Sequence, residues 1–151
     1  MSFTRENINP AGLYKHPAFT RVVTVKGPMK LISIAGQTAS DENYVPVGGT
    51  TLPSGVVLYD YKAQYLKVIE NLTVQLEAAG ATWDDVVFRR FFTLDVDLFL
   101  KALYEVHGDP ANRDKPWNPQ VPPPSTLIGV TRLSYPEFLI EIDLMAVVAD
   151  D

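Results

Sequence analysis

Two carboxylates, Glu141 and Asp143, stand in the run LIEIDLMAVV, where charged and apolar residues alternate. A strand sends successive side chains to opposite faces. Ile140, Ile142, Leu144, Ala146 and Val148 then share one face, and Leu139, Glu141, Asp143, Met145 and Val147 share the other. The first face is core. The second is too apolar for a solvated surface and too charged for a closed interior, which marks it as a surface that meets another subunit. Upstream, VVFRRFFTL carries Arg89 and Arg90 side by side, so one of the two guanidinium groups must lie on the non-core face or at an edge. There it can pair with Glu141 or Asp143, or grip the carboxylate of a ligand with two parallel hydrogen bonds. Cysteine is absent and the two histidines, His16 and His107, are far apart in sequence, so neither a thiolate nucleophile nor a metal site is expected.

The elements that must position these groups are legible from periodicity and breakers. The β-branched runs TRVVTVK (20–26) and KLISIAG (30–36), separated by Gly27 and Pro28, predict a hairpin. The glycine-rich stretch after Gly36 predicts a long loop with one short strand. From Asp60, the steps Ala63, Leu66, Ile69, Leu72, Leu76 and Ala79 predict an amphipathic helix capped by Gly80. Val86 to Leu94 reads as a strand. Asp95 and Asp97 then start a second helix with Phe99, Leu103 and Val106 on one side. Residues 109–124 hold six prolines in sixteen residues, which forbids helix and interior strand and predicts a stiff loop. STLIGVTRL and LIEIDLMAVV predict two closing strands joined by a proline-containing turn.

Strands and helices in this order predict an α+β domain with both helices on one face of a mixed or mostly antiparallel sheet. In STLIGVTRL, Thr126, Ile128 and Val130 form an apolar face, while Ser125, Leu127, Gly129 and Thr131 form a small, mildly polar one with room beside it. A sheet with helices on one side must cover the other, which predicts a homo-oligomer.

With 151 residues and 46% hydrophobic content, the chain is sized for one domain spanning 1–151. Its net charge of -5 and lack of a basic stripe argue against nucleic acid as a partner. No apolar run approaches the roughly 20 residues that span a bilayer, so no membrane partner is expected. The opening MSFTRENINPAGLYKHP lacks the pattern of an export signal, and a cytosolic location is the expectation.

Several segments together resemble the YjgF/RidA (endoribonuclease L-PSP-like) family. They are NPAGL, IAGQTA (34–39), AQYLKVIENLTVQLEAAGATWDDVV (63–87), LYEVHG (103–108), and PPPSTLIGVTRL with LIEIDLMAVV. The resemblance implies a chorismate mutase-like fold assembled as a homotrimer, with three sheets forming an inner barrel, helices outside and a cleft at each subunit boundary. It also implies a small-molecule ligand, no cofactor, and hydrolytic deamination of an imine or enamine. The family's arginine, which grips the substrate carboxylate, falls on Ser125 when the sequences are aligned back from Arg132 and Leu133. This chain therefore lacks it.

The family's water-activating glutamate falls on Glu141, its usual serine on Ala35, and its cleft tyrosine on Phe19. On this reading Glu141 is the general base. Main-chain groups near Gly36 and Leu127 bind polar substrate atoms, Phe19, Phe92 and Trp117 form apolar walls, and Ser125 and Glu141 border one enclosed hollow. The loop 109–124 brings Arg113, Lys115 and Trp117 toward its rim. Alternatives stand beside each role: Glu141 pairs with an arginine across a subunit contact, and Trp117 packs on its own subunit. A non-catalytic, metabolite-binding trimer is the alternative to the enzyme, and the acidic balance weighs against a ribonuclease.

Overall fold

In the computed structural model, which describes residues 2–150, the chain runs β1 (Thr4–Ile8), β2 (Val22–Lys26), β3 (Met29–Thr38), β4 (Gly49–Thr51), β5 (Val57–Tyr59), α1 (Tyr61–Ala78), β6 (Val86–Thr93), α2 (Val96–Gly108), β7 (Ser125–Gly129) and β8 (Ile140–Ala149). Met1 and Asp151, the ends of the domain expected over 1–151, lie outside the described residues. Four strands form a mixed sheet in the order β3-β8-β6-β7, with β8 antiparallel to both neighbours and β6 parallel to β7. Both helices lie on one face, where Phe99, Val106, Val68, Leu72 and Leu76 pack on Ile140, Ile142, Leu144 and Ala146. The α+β architecture is the one the element order implies.

Strand pairing departs from the sequence reading in two places. The expected hairpin of residues 20–26 with 30–36 does not form: β2 pairs with β1, and β3 pairs with β8. Gly27 explains the parting. Its φ of +114° turns the chain out of the plane, and a Cβ there would lie 2.6 Å from the Ser2 carbonyl, so only glycine lets β1 cross this close. Arg5 then fastens the β1-β2 ribbon to the start of β6 by donating to the Asp84 and Val86 carbonyls.

The two closing strands are likewise not a hairpin, because β6 lies between β7 and β8. A parallel β6-β7 pair needs a long crossover, and α2 with the proline-rich loop supplies it. The long loop after β3 contains a short β4-β5 hairpin rather than a single strand.

Asp95 caps α2 as expected, accepting from Leu98 N at 3.0 Å, and Asp60 caps α1 in the same way, accepting from Ala63 N at 2.7 Å. The buried side of α1, however, is turned from the expected stripe. Gln64, Tyr65, Val68, Ile69, Leu72 and Leu76 face inward, while Leu66 is 38% exposed. Tyr65 and Val68 offer more apolar surface than Ala63 and Leu66, and the Gln64 amide finds backbone partners on both sides, so this rotation wins.

Candidate functional site

Thr20 ties the segment leading into β2 to the proline-rich loop, through its N–H and hydroxyl to the Pro122 carbonyl at 3.1 and 2.6 Å. Together with α2 and the first residues of β7, this clamp leaves a cleft of about 230 Å³ lined by His16, Phe19, Arg89, Leu100, Leu103, Tyr104, Ser125 and Leu127. An adjoining hollow of about 320 Å³ shares Arg89, Leu103 and Tyr104 and extends to His107 and Asn118.

Arg89 is the polar centre of both. Its side chain is 8% exposed, Nε donates to Ser125 Oγ at 2.6 Å, and Nη2 donates to the Ala18 carbonyl at 2.9 Å. The ring of Phe91 lies beneath the guanidinium, 5.0 Å from its carbon. Ser125 Oγ in turn donates to the Pro123 carbonyl at 3.1 Å, which leaves its lone pairs for Arg89. Among the described residues the ion pairs are Lys67–Glu70 and Arg90–Asp143, so no carboxylate balances Arg89. Burial lowers its pKa, but an arginine remains a cation at any ordinary pH.

His107 positions the loop that walls this cleft. Asn118 Nδ2 donates to the His107 and Asn112 carbonyls, so its Oδ1 is the acceptor for His107 Nδ1–H at 2.9 Å. Nε2 then accepts from the Tyr65 hydroxyl at 2.6 Å. Burial pushes the Tyr65 phenol up to about 12 and lowers the His107 pKa. A depressed histidine contributes stability that is present above its ordinary value of 6.5 and lost as pH falls through that value toward the folded one. The protein is therefore expected to lose stability as pH falls below about 6.5, and His107→Gln to flatten that dependence, as read by urea unfolding at each pH.

On the opposite face of the sheet, Glu141 sits across from Phe92 in register, and Arg90 across from Asp143. Asp143 takes Arg90 in a forked pair, with Nε at 3.0 Å and Nη2 at 2.5 Å, and among the described residues no cation pairs with Glu141. Burial, then the Asp143 charge, raises the Glu141 pKa. A bulge between Ile34 and Gln37 brings Gly36 against this carboxylate, and a Cβ on Gly36 would lie 2.0 Å from Oε1. The bulge itself has no sequence signature beyond the glycine.

The expected site residues thus fall into two groups. Phe19, Ser125 and Leu127 line the helix-side cleft, with Phe19 stacked on His16 at 4.5 Å and under the Arg21 guanidinium. Ala35, Gly36, Phe92 and Glu141 lie on or beside the open face. Ser125 and Glu141 do not border one hollow within a protomer: the register Arg89↔Ser125 places Ser125 on the side of Arg89 and Phe91, the side covered by helices. The alternation of β7 is as expected but its faces are exchanged: Ser125 and Leu127 turn to the helices, and Ile128 shares the face of Phe92 and Glu141. Trp117 packs against His107, ring centroids 5.6 Å apart, on its own subunit. Arg113 and Lys115 are exposed, and Arg113 edges a depression with Asp109 and Gln120 that adjoins the 320 Å³ hollow, sharing Pro17, His107, Asn118 and Pro122 with it. Arg89 is the residue that sequence reasoning left undecided; its sharing a face with Phe91 was the available signal.

The sequence model of the endoribonuclease L-PSP family matches residues 10–148. The chain belongs to this family. Among solved structures, the Rid-family protein YyfB from Yersinia pestis is 30% identical with a TM-score of 0.70, covering 95% of this chain and 98% of that one. RidA from an Antarctic Psychrobacter is 25% identical with a TM-score of 0.58, covering 93% of this chain and 92% of that one. A YjgF/YER057c/UK114-family protein from Mycobacterium tuberculosis shares the fold at 23% identity and a TM-score of 0.52, covering 96% of this chain and 100% of that one. Within a Rid-family chain, the helix-side cleft and the Glu141 face are the two surfaces on which the implied site residues fall, and Arg89 stands in the cleft beside the position where the resemblance implies an arginine.

Proposed function

We propose that this chain is a cofactor-free, cytosolic hydrolase that deaminates an imine, enamine or related conjugated amine at clefts between three copies of itself. The observation that supports it most directly is Glu141, a carboxylate with a raised pKa and no paired cation among the described residues, seated against Gly36 where a Cβ would otherwise lie. Such a group is suited to take a proton from water. Water attacks the C=N carbon, forming the C–O bond, while its proton passes to Glu141 and the π electrons move to nitrogen, which is protonated. The resulting amino alcohol loses ammonia as the C–N bond breaks, and the carbonyl forms. Because Ser125 and Glu141 occupy opposite faces, a complete site requires the Glu141 face of one copy to close the Ser125 cleft of the next. The trimer is then part of the catalyst.

A non-catalytic, metabolite-binding trimer is favoured by one observation: the Ser125 hydroxyl is held by Arg89 and Pro123 and is not free to meet a ligand. Ammonia release decides between the two. Purified protein is expected to accelerate ammonia release from freshly generated amino-acid imines or from aminomuconate-like enamines. Saturable thermal stabilisation by those compounds without ammonia release would instead establish the binding protein, and a monomer in sedimentation would remove both.

A further inference from the structure

We propose that His16 is a fixed hydrogen-bond donor of the helix-side cleft, its Nε2–H meeting the nitrogen of a neutral imine while water attacks the adjacent carbon. This deepens the proposed function and rests on it. The Ala18 N–H donates to His16 Nδ1 at 3.0 Å, so Nδ1 supplies a lone pair and the proton of the neutral ring stands on Nε2. His16 is half-buried and lines the cleft of about 230 Å³. Among the described residues the one buried side-chain nitrogen or oxygen without a partner is Gln75 Oε1, so Nε2, which no protein group accepts from, is open to what enters.

The ring is held before any ligand arrives. Phe19 stacks on it with centroids 4.5 Å apart and planes 14° apart, and Tyr14 meets it edge-on at 6.0 Å. Ala18, whose N–H sets the tautomer, is itself pinned through its carbonyl by Arg89 Nη2 at 2.9 Å, so the buried cation serves as a buttress for residues 16–18. A donor fixed in this way stabilises charge as it develops, at no cost in reorganisation. With its proton on Nε2, the neutral ring offers no base to the cleft, and that role stays with Glu141. It selects for a nitrogen that still has its lone pair, and so for the neutral imine over the iminium cation. As water adds, the π electrons gather on nitrogen and the bond from Nε2–H strengthens. Nε2 keeps its proton throughout, and the proton that Glu141 took from water is available to the nitrogen. Leu100, Leu103 and Leu127 receive the apolar remainder of the substrate.

The full-length protein, labelled with nitrogen-15, is read by long-range proton–nitrogen correlation of its histidine rings. The probes are acetophenone and 4-methyl-2-pentanone, stable neutral acceptors with apolar bodies, and ethylbenzene, which has no acceptor. His16 is expected to show a bare Nδ1 and a protonated Nε2, and the ketones, but not ethylbenzene, to move the Nε2 resonance saturably. His16→Phe keeps a ring on Phe19 while removing both nitrogens. It is expected to lower kcat for freshly generated amino-acid imines by about 10² to 10³-fold with KM changed by less than about threefold, the pattern of a contact made in the transition state. His16→Gln, whose amide can accept from Ala18 N–H and still donate, is expected to recover about tenfold of that loss. A neutral His16 protonated on Nδ1, an Nε2 resonance that ignores both ketones, or a His16→Phe kcat within about threefold of the parent would overturn the proposal. No ammonia release from the unaltered protein would instead remove the hydrolase, and the tautomer and ketone response of His16, which need neither turnover nor a variant, then decide whether it is the cleft's donor.

Discussion

Glu141→Gln is expected to lower imine or enamine turnover by about 10² to 10⁴-fold, the range in which a positioned general base contributes. Loss of fold would not account for it. The Glu141 pKa is raised, so the stability tied to its neutral form is present below the ordinary value of 4.5 and is lost as pH rises through the folded value. A glutamine is permanently neutral, and at pH 7 the variant is expected to melt no lower than the parent. Gly36→Ala approaches the same carboxylate from the other side: the new Cβ would lie 2.0 Å from Oε1, so the side chain must swing away. It should lower kcat while leaving the carboxylate chemically intact. Ammonia release, melting and sedimentation measured together separate the roles. If Glu141→Gln instead yields folded monomers, the carboxylate is a contact between copies and not a base.

How far such a site can be read without coordinates depends on which forces set each part. Caps at Asp60 and Asp95, the core stripe Phe99, Leu103 and Val106, and the buried face of β8 are dictated by local chemistry and period, and all three stand in the structure. Strand partners are not local. Nothing within β2 or β3 specifies that each pairs elsewhere, and the cause is a close approach at Gly27 by a segment some twenty residues upstream. The same limit shaped the site. Alternation correctly placed Arg89 and Arg90 on opposite faces, but which of them enters a cleft depends on α2 and the proline-rich loop carrying the chain across to a parallel β7. The register that puts Ser125 beside Arg89 and Glu141 beside Phe92 sends the two to opposite faces of the sheet, so a hollow shared between protomers can hold both only where one copy's face meets another copy's cleft.

Gln64→Ala is expected to cost about 3 kcal/mol or more, although a glutamine on an amphipathic helix would ordinarily be read as solvated. Its side chain is fully buried, with Nε2 donating to the Val47 carbonyl at 3.2 Å and the Glu137 carbonyl at 2.8 Å, and Oε1 accepting from Leu139 N at 2.9 Å. Removing one partner of a buried hydrogen bond costs roughly 1–3 kcal/mol, and alanine orphans three groups at once. For a chain of this length that corresponds to a melting temperature lower by about 10 °C. Leu66→Ala provides the contrast. Leu66 belongs to the stripe that periodicity selects, yet it is 38% exposed, so its truncation is expected to cost only about 1 kcal/mol or less. A larger loss for Leu66 than for Gln64 would mean that α1 is rotated back toward the sequence-based face. The consequence reaches the site, because Leu139 leads directly into β8: the amide that holds its N–H also fixes where β8 begins, and with it the face on which Glu141 emerges.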